Sequence, residues 1–248
     1  MRASKNDKLW GILFWALVWQ IAALIIHNRI LLVSPVEVVG HIARLLVDQA
    51  FWHSIILSSF NIMSGFLIAM AGGLVLAAAA SRIHLLYVII EPLVKAMRSI
   101  PVASFIILAL ILFSSQYLSV FVAFTVAFPI IFQSVFDGIA MKSEALHELT
   151  TVFRIPYLRG VRYLGFFEIL PVLKTACKTT VGMSWKAGVA AELIGIPKSS
   201  IGEQLQQAKV YLETGELFAW TVVIILLSLV FDRLINGVLK GIQRILLF

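Results

Sequence analysis

Lys186 follows Trp185 in the middle of a long apolar run, "TACKTTVGMSWKAGVAAELIG". An amine there needs an opposite charge or water, because a lysine at the centre of a membrane span costs about 2.5–3.5 kcal/mol. Two readings follow. Lys186 faces a polar path, where it would favour an anionic or carbonyl-rich solute, or it forms a structural ion pair. Glu192 is six residues on, about 9 Å of helix rise and not the ideal one-turn spacing. Ser184 and Trp185 precede the lysine, and a second apolar run holds Gln133 and Ser134, with Asp137 one turn after Gln133. Gln133, Ser184, Trp185 and Lys186 are therefore the candidates for lining a solute path. Asp137 lies near a span end and suits a helix-end contact.

Other chemistry is thin. His27, His41, His53, His84 and His147 are scattered, and no spacing resembles a metal site. Cys177 is the single cysteine, so no intrachain disulfide forms. No nucleophile–base pair sits on the apolar runs, and no Walker-type phosphate loop occurs. The expected chain is not an enzyme, and it binds no metal or cofactor of its own.

The elements that position these residues follow from composition. The 248 residues are 60% hydrophobic and 13% charged, against about 25% charged for a soluble domain. That balance predicts an all-α integral membrane protein, a single domain over 1–248. Apolar runs at 10–27, 56–80, 84–112, 118–138, 172–194 and 217–240 predict six transmembrane helices. The first reads as a retained span, not a cleaved leader. Ile100–Pro101 marks a kink or a fresh start within the third. The net charge of +7 fits the positive-inside rule better than nucleic-acid binding. Most lysines and arginines fall in the N-terminal tail, the second-to-third and fourth-to-fifth connections, and the C-terminal end. Both termini are then cytoplasmic. On the outer side, Ser34–Pro35 opens an amphipathic helix with Val38, Ile42, Leu45 and Leu46 on one face.

The region 142–170 breaks the apolar pattern. Leu146, Leu149, Val152 and Phe153 keep helical spacing among Glu144, His147, Glu148 and Thr150. Ile155–Pro156 interrupts this helix, and "PYLRGVRYLGFFEIL" reads as a second one, ended by Leu170–Pro171. An ordinary positive-inside loop has no need of helices with an apolar face. That face must be buried against a partner protein or the headgroup layer.

Here the chain resembles the permease subunits of bacterial ATP-binding-cassette (ABC) importers, nearest the nitrate, sulfonate and taurine branch. The cytoplasmic motif of that family, Glu-Ala-Ala followed by glycine and a Leu-Pro, is matched in part. Glu148-Leu149-Thr150 holds the Glu-Ala-Ala place, Arg154 stands where glycine is usual, and Leu170–Pro171 supplies the later Leu-Pro. "RILLVSPVEVVGHI", "PLVKAMRSIPVASFIILALILF" and "GMSWKAGVAAELIG" with the following "SSIGEQ" resemble other stretches of the family. The likeness runs from about Leu31 to Leu239.

The resemblance implies a type I importer permease fold with a cytoplasmic coupling helix, working as a homodimer. ABC ATPase subunits carrying ATP and Mg, and an extracytoplasmic solute-binding protein, are the implied partners. The coupling residues would be Glu148, Leu149, Thr150, Val152, Phe153, Arg154, Pro156 and Arg159, with Pro156 an alternative turn former. Glu148 would stand nearest the ATPase, as a helix cap or an ion-pair partner. The solute would be a sulfonate, a nitrate-like anion or a vitamin precursor, and the location a bacterial cytoplasmic membrane. The competing class is a stand-alone secondary transporter or channel, which would call for internal repeats and paired intramembrane charges.

Overall fold

The computed structural model describes residues 5–28, 30–140 and 166–247, which are helical apart from short connections. Nine α-helices occur among the described residues. They are α1 (Lys5–Ile26), α2 (Pro35–Leu45), α3 (Gln49–Ala80), α4 (His84–Ser99), α5 (Val102–Leu112), α6 (Leu118–Ala140), α7 (Phe166–Gly195), α8 (Ile201–Val210) and α9 (Thr214–Leu247). Each of the six apolar runs lies on one or two of these helices.

Three stretches are long and apolar enough to cross a membrane: Gln49–Ala80, Ser115–Ala140 and Thr214–Gly241. The pair α4–α5, bent by 111°, makes a fourth if it is one span. The bend falls where the sequence placed it. Ile100 is extended, Pro101 starts the next helix, and the residue before a proline is pushed out of helical geometry. The apolar part of α1, Leu13–Ile26, is shorter. α7 has the length, but Lys174, Lys178, Lys186 and Glu192 reduce its apolarity.

α6 is the centre of the bundle, with α3 packed on one side and α7 on the other. Glycine lets the α3 backbone come in close. A Cβ at Gly65 would collide with the carbonyl of Val120, and one at Gly73 would press on Ile131 and the backbone of Phe132. Gly188 of α7 does the same against Ile62. Phe124, Phe128, Phe132 and Phe136 of α6 stack along the helix with ring centroids 5.1 to 6.1 Å apart. One core cluster gathers Phe66, Phe128, Phe132, Leu173 and Val181, and a second gathers Phe51, Ile62, Trp185, Ile201 and Trp220.

α2 forms as its sequence dictates. The Ser34 hydroxyl accepts from the Glu37 N–H, the Glu37 carboxylate accepts from the Ser34 N–H, and Pro35 holds the first turn. Val38 is buried, and Ile42 and Leu45 pack beside it. Leu46 caps the helix and is exposed instead of sharing that face.

Two expectations change. Leu170–Pro171 does not end a cytoplasmic helix: α7 begins at Phe166 and runs through Pro171. A proline just past the first turn removes one backbone bond and leaves the rest of the ladder intact. α8 is a separate helix that the apolar pattern does not announce. Its signal is the capping pair in Ser200-Ile201-Gly202-Glu203, where the Ser200 hydroxyl accepts from the Glu203 N–H at 3.0 Å.

Candidate functional site

α7 turns two different faces outward and inward. Ser184 and Trp185 point into the bundle. The Ser184 hydroxyl donates to the Ala123 carbonyl of α6 at 3.2 Å. Trp185 is 1% exposed, its ring 4.9 Å from that of Phe231 on α9. These two contacts fix the rotation of α7. At about 100° per residue, Lys186 is carried out of the core, and it is exposed. The ion pair with Glu192 does not form: Glu192 is fully buried and Lys186 projects from another face.

Lys186 belongs to a stripe. Thr175, Lys178, Thr179 and Met183 are also exposed, and Gly182 is half-buried between them. From Thr175 to Lys186 the stripe covers about 16 Å of helix at 1.5 Å per residue. Each threonine satisfies its own hydroxyl on the preceding turn, Thr175 with the Pro171 carbonyl at 3.0 Å and Thr179 with that of Thr175 at 3.1 Å. The lysines have no such recourse. Among the described residues, no side chain bonds to Lys178 or Lys186. A Cβ added at Gly182 would meet only the Ser228 hydroxyl, at 3.9 Å, so this part of the stripe is open.

The arrangement is a positively charged, hydroxyl-bearing helix face left uncovered by the described residues. Such a face can offer ammonium donors to anionic oxygen and exclude cations. It suits an anion path better than a lipid contact.

The remaining path candidates sit elsewhere. On α6, the Gln133 amide donates to the Asp137 carboxylate at 2.8 Å. Gln133 is half-buried and Asp137 exposed. The pair joins successive turns of α6. Of the four path candidates, Ser184 and Trp185 support the helix while Lys186 stands on its free face. Lys178, Thr175 and Thr179 were missed by sequence reasoning, although their spacing from Lys186 on one helical face was readable. Glu148, Leu149, Thr150, Val152, Phe153, Arg154, Pro156 and Arg159 lie outside the described residues.

Comparison with known proteins gives relatives of one kind. No protein-family profile matches the chain. A probable ABC transporter permease protein of Brucella melitensis is 25% identical over 211 residues, 85% of each chain. A probable ABC transporter permease protein of Brucella abortus is equally similar, at 25% over 211 residues covering 85% of this chain and 84% of that one. The putative aliphatic sulfonates transport permease protein of Bacillus subtilis is 21% identical over 221 residues, 88% of this chain and 80% of its own.

Proposed function

We propose, from its kinship with ABC transporter permeases, that this chain is the membrane-spanning subunit of an ATP-driven importer for a small anionic solute. One observation carries the reading: within its apolar run, α7 leaves an uncovered face that bears Lys178 and Lys186. A lysine facing lipid costs about 2.5–3.5 kcal/mol at a span centre, as at Lys186, and less toward the end, as at Lys178. A water-filled path between two copies of the chain removes that cost. The reading has six spans, with the bent pair α4–α5 as one of them, and both termini cytoplasmic. Among the relatives, the Bacillus subtilis protein is named for aliphatic sulfonates, and a sulfonate fits a lysine-lined path.

In this reading the region 142–170 receives the ATPase. Glu148, Leu149, Thr150, Val152, Phe153, Arg154, Pro156 and Arg159 supply the contact surface, with a solute-binding protein acting at the opposite face. ATP and Mg belong to the ATPase.

Co-purification in mild detergent tests it. An ATPase carried along with the tagged permease supports the importer, whereas solute transport by the lone chain in liposomes would make it a self-contained transporter. A finer test is charge reversal at Glu148, or polar replacement of Leu149 or Phe153. Each is expected to leave the folded membrane protein intact while ATP hydrolysis no longer drives transport, and normal transport by all three would refute the coupling assignment.

A further inference from the structure

Glu192 is the one fully buried acidic side chain among the described residues. It lies in the last turn of α7, and its bonding partners come from other helices. One carboxylate oxygen, Oε2, accepts from the Ser58 hydroxyl of α3 at 2.6 Å and from the Gly202 N–H of α8 at 3.4 Å. The Ser58 hydroxyl in turn accepts from the Ile201 N–H at 2.9 Å. The buried Ser119 hydroxyl, at the start of α6, stands beside the same carboxylate. Oε1 has no hydrogen-bond partner among the described residues. α3, α6, α7 and the N-terminus of α8 therefore meet at one carboxyl group.

The junction is built tightly. A Cβ at Gly202 would collide with the backbone of Glu192, so the first turn of α8 rests directly on the last turn of α7. Among the described residues, no lysine or arginine bonds to the carboxyl group. It is met by one N–H at the start of α8, that of Gly202, where the helix dipole is positive, and by the Ser58 hydroxyl. The connection between α7 and α8 is short and strained: Ile196 and Ser199 both take left-handed conformations, with φ of 46° and 59°. Such residues persist when the structure around them fixes both ends.

This has a mechanical consequence. Lifting α8 from α7 strips the Gly202 N–H from the buried Glu192 carboxyl and the Ile201 N–H from Ser58, which is less favourable than keeping or fully hydrating these groups. Intermediate positions are poor, so the junction behaves as a catch that is either made or released.

We propose that Glu192 is the positioning residue of an outer latch. It holds α8 on α3 and α7 in the arrangement described, and the latch releases when the polar face of α7 opens to the outside. This rests on the permease reading above, with α8 on the outer side of the membrane.

The test uses the complete permease–ATPase complex in lipid. Glu192→Gln keeps an oxygen that can accept from Ser58 and Gly202, while Glu192→Ala removes it. Glu192→Ala is expected to raise solute-independent ATP hydrolysis by up to about tenfold, the shift in population for losing one buried hydrogen bond, and to abolish uptake of taurine as the sulfonate probe. Glu192→Gln restores coupling. Hydrogen exchange at residues 196–210 of the wild-type complex supplies the second readout, and it is expected to rise when ATP and vanadate trap the ATPases closed. Unchanged exchange there, or Ala and Gln variants that differ from wild type only in the yield of folded protein, overturns the latch. If the wild-type complex neither hydrolyses ATP nor moves solute, the permease reading has failed instead.

Discussion

α7 and α9 are both long helices of the same bundle, and their uncovered faces differ. On α9 the exposed residues between Val222 and Asp232 are Ile225, Leu226, Leu229 and Val230, and its exposed cations, Arg233, Lys240 and Arg244, come later in the helix. On α7 they include Thr175, Lys178, Thr179 and Lys186. The first face is what a lipid tail accepts, since hydrocarbon makes no demand on it. The second would strand two ammonium groups. α7 is the more deeply packed of the two, yet each leaves one side outside. What distinguishes them is the residue types left outside. An uncovered face in a membrane protein is therefore informative by its polarity and not by its exposure.

The comparison can be broken most directly by exchanging the chemistry. Lys186→Leu makes the α7 face resemble that of α9. It is expected to cut anion uptake by about tenfold or more, as for loss of a charge-assisted contact worth about 1.5–3 kcal/mol, while the protein stays folded in detergent. Leu229→Lys does the converse. Placing a lysine on the lipid-type face is expected to cost about 2.5–3.5 kcal/mol and to lower the amount of inserted protein. Uptake by Lys186→Leu equal to wild type would remove the reason to treat the faces differently.

A smaller effect separates glycines under the core from glycines on the free face. Gly65→Val sets a branched side chain against the Val120 carbonyl at the α3–α6 crossing. Overpacking of this kind costs about 1–3 kcal/mol and sometimes more. The thermal midpoint in detergent should fall clearly. Gly182→Ala has only the Ser228 hydroxyl nearby and should leave the midpoint within about a degree or two, in line with a surface change of under 0.5 kcal/mol. A fall with Gly182→Ala as large as with Gly65→Val would mean that the α7 face is covered after all.

Much of this was legible before any coordinates. The bend at Ile100–Pro101 follows from one dipeptide, and the start of α2 from Ser34, Pro35 and Glu37. Lys186 announces itself as a charge among apolar residues. Its direction was not legible, because two outcomes were open to it and the choice was made by its neighbours. Ser184 and Trp185 bind to α6 and α9, and so rotate Lys186 outward. Glu192 was visible only as a distant partner for that lysine. Its true partners, Ser58 and Gly202, come from elsewhere in the chain, and hydrogen bonds across that separation leave no local pattern. α8 was masked for a different reason: its sequence is polar and short, so apolar periodicity passes over it, although Ser200 and Glu203 mark its start.

The smallest effect is expected where the α9 helix stops resembling a plain lipid-facing span, at its start. There the His41 ring of α2 lies against Gly215, leaving no room for a Cβ. The Arg44 guanidinium reaches the His41 Nδ1 at 3.3 Å, and Glu37 and Glu213 stand around the same cleft. Burial of the ring, helped by the Arg44 charge, holds the His41 pKa below its usual value, while Glu37 and Glu213 pull the other way. The sign follows. Above the ordinary histidine range, about 6.5, the group is neutral folded or unfolded and contributes nothing. As the pH falls through that range the unfolded chain takes up a proton before the folded one, so stability declines. The thermal midpoint should drop modestly between about pH 7 and pH 5, and His41→Gln should flatten that part of the profile. A midpoint that rises on acidification in the wild type, and falls with His41→Gln, would reverse the sign and give the cleft's carboxylates the controlling role over the α2–α9 contact.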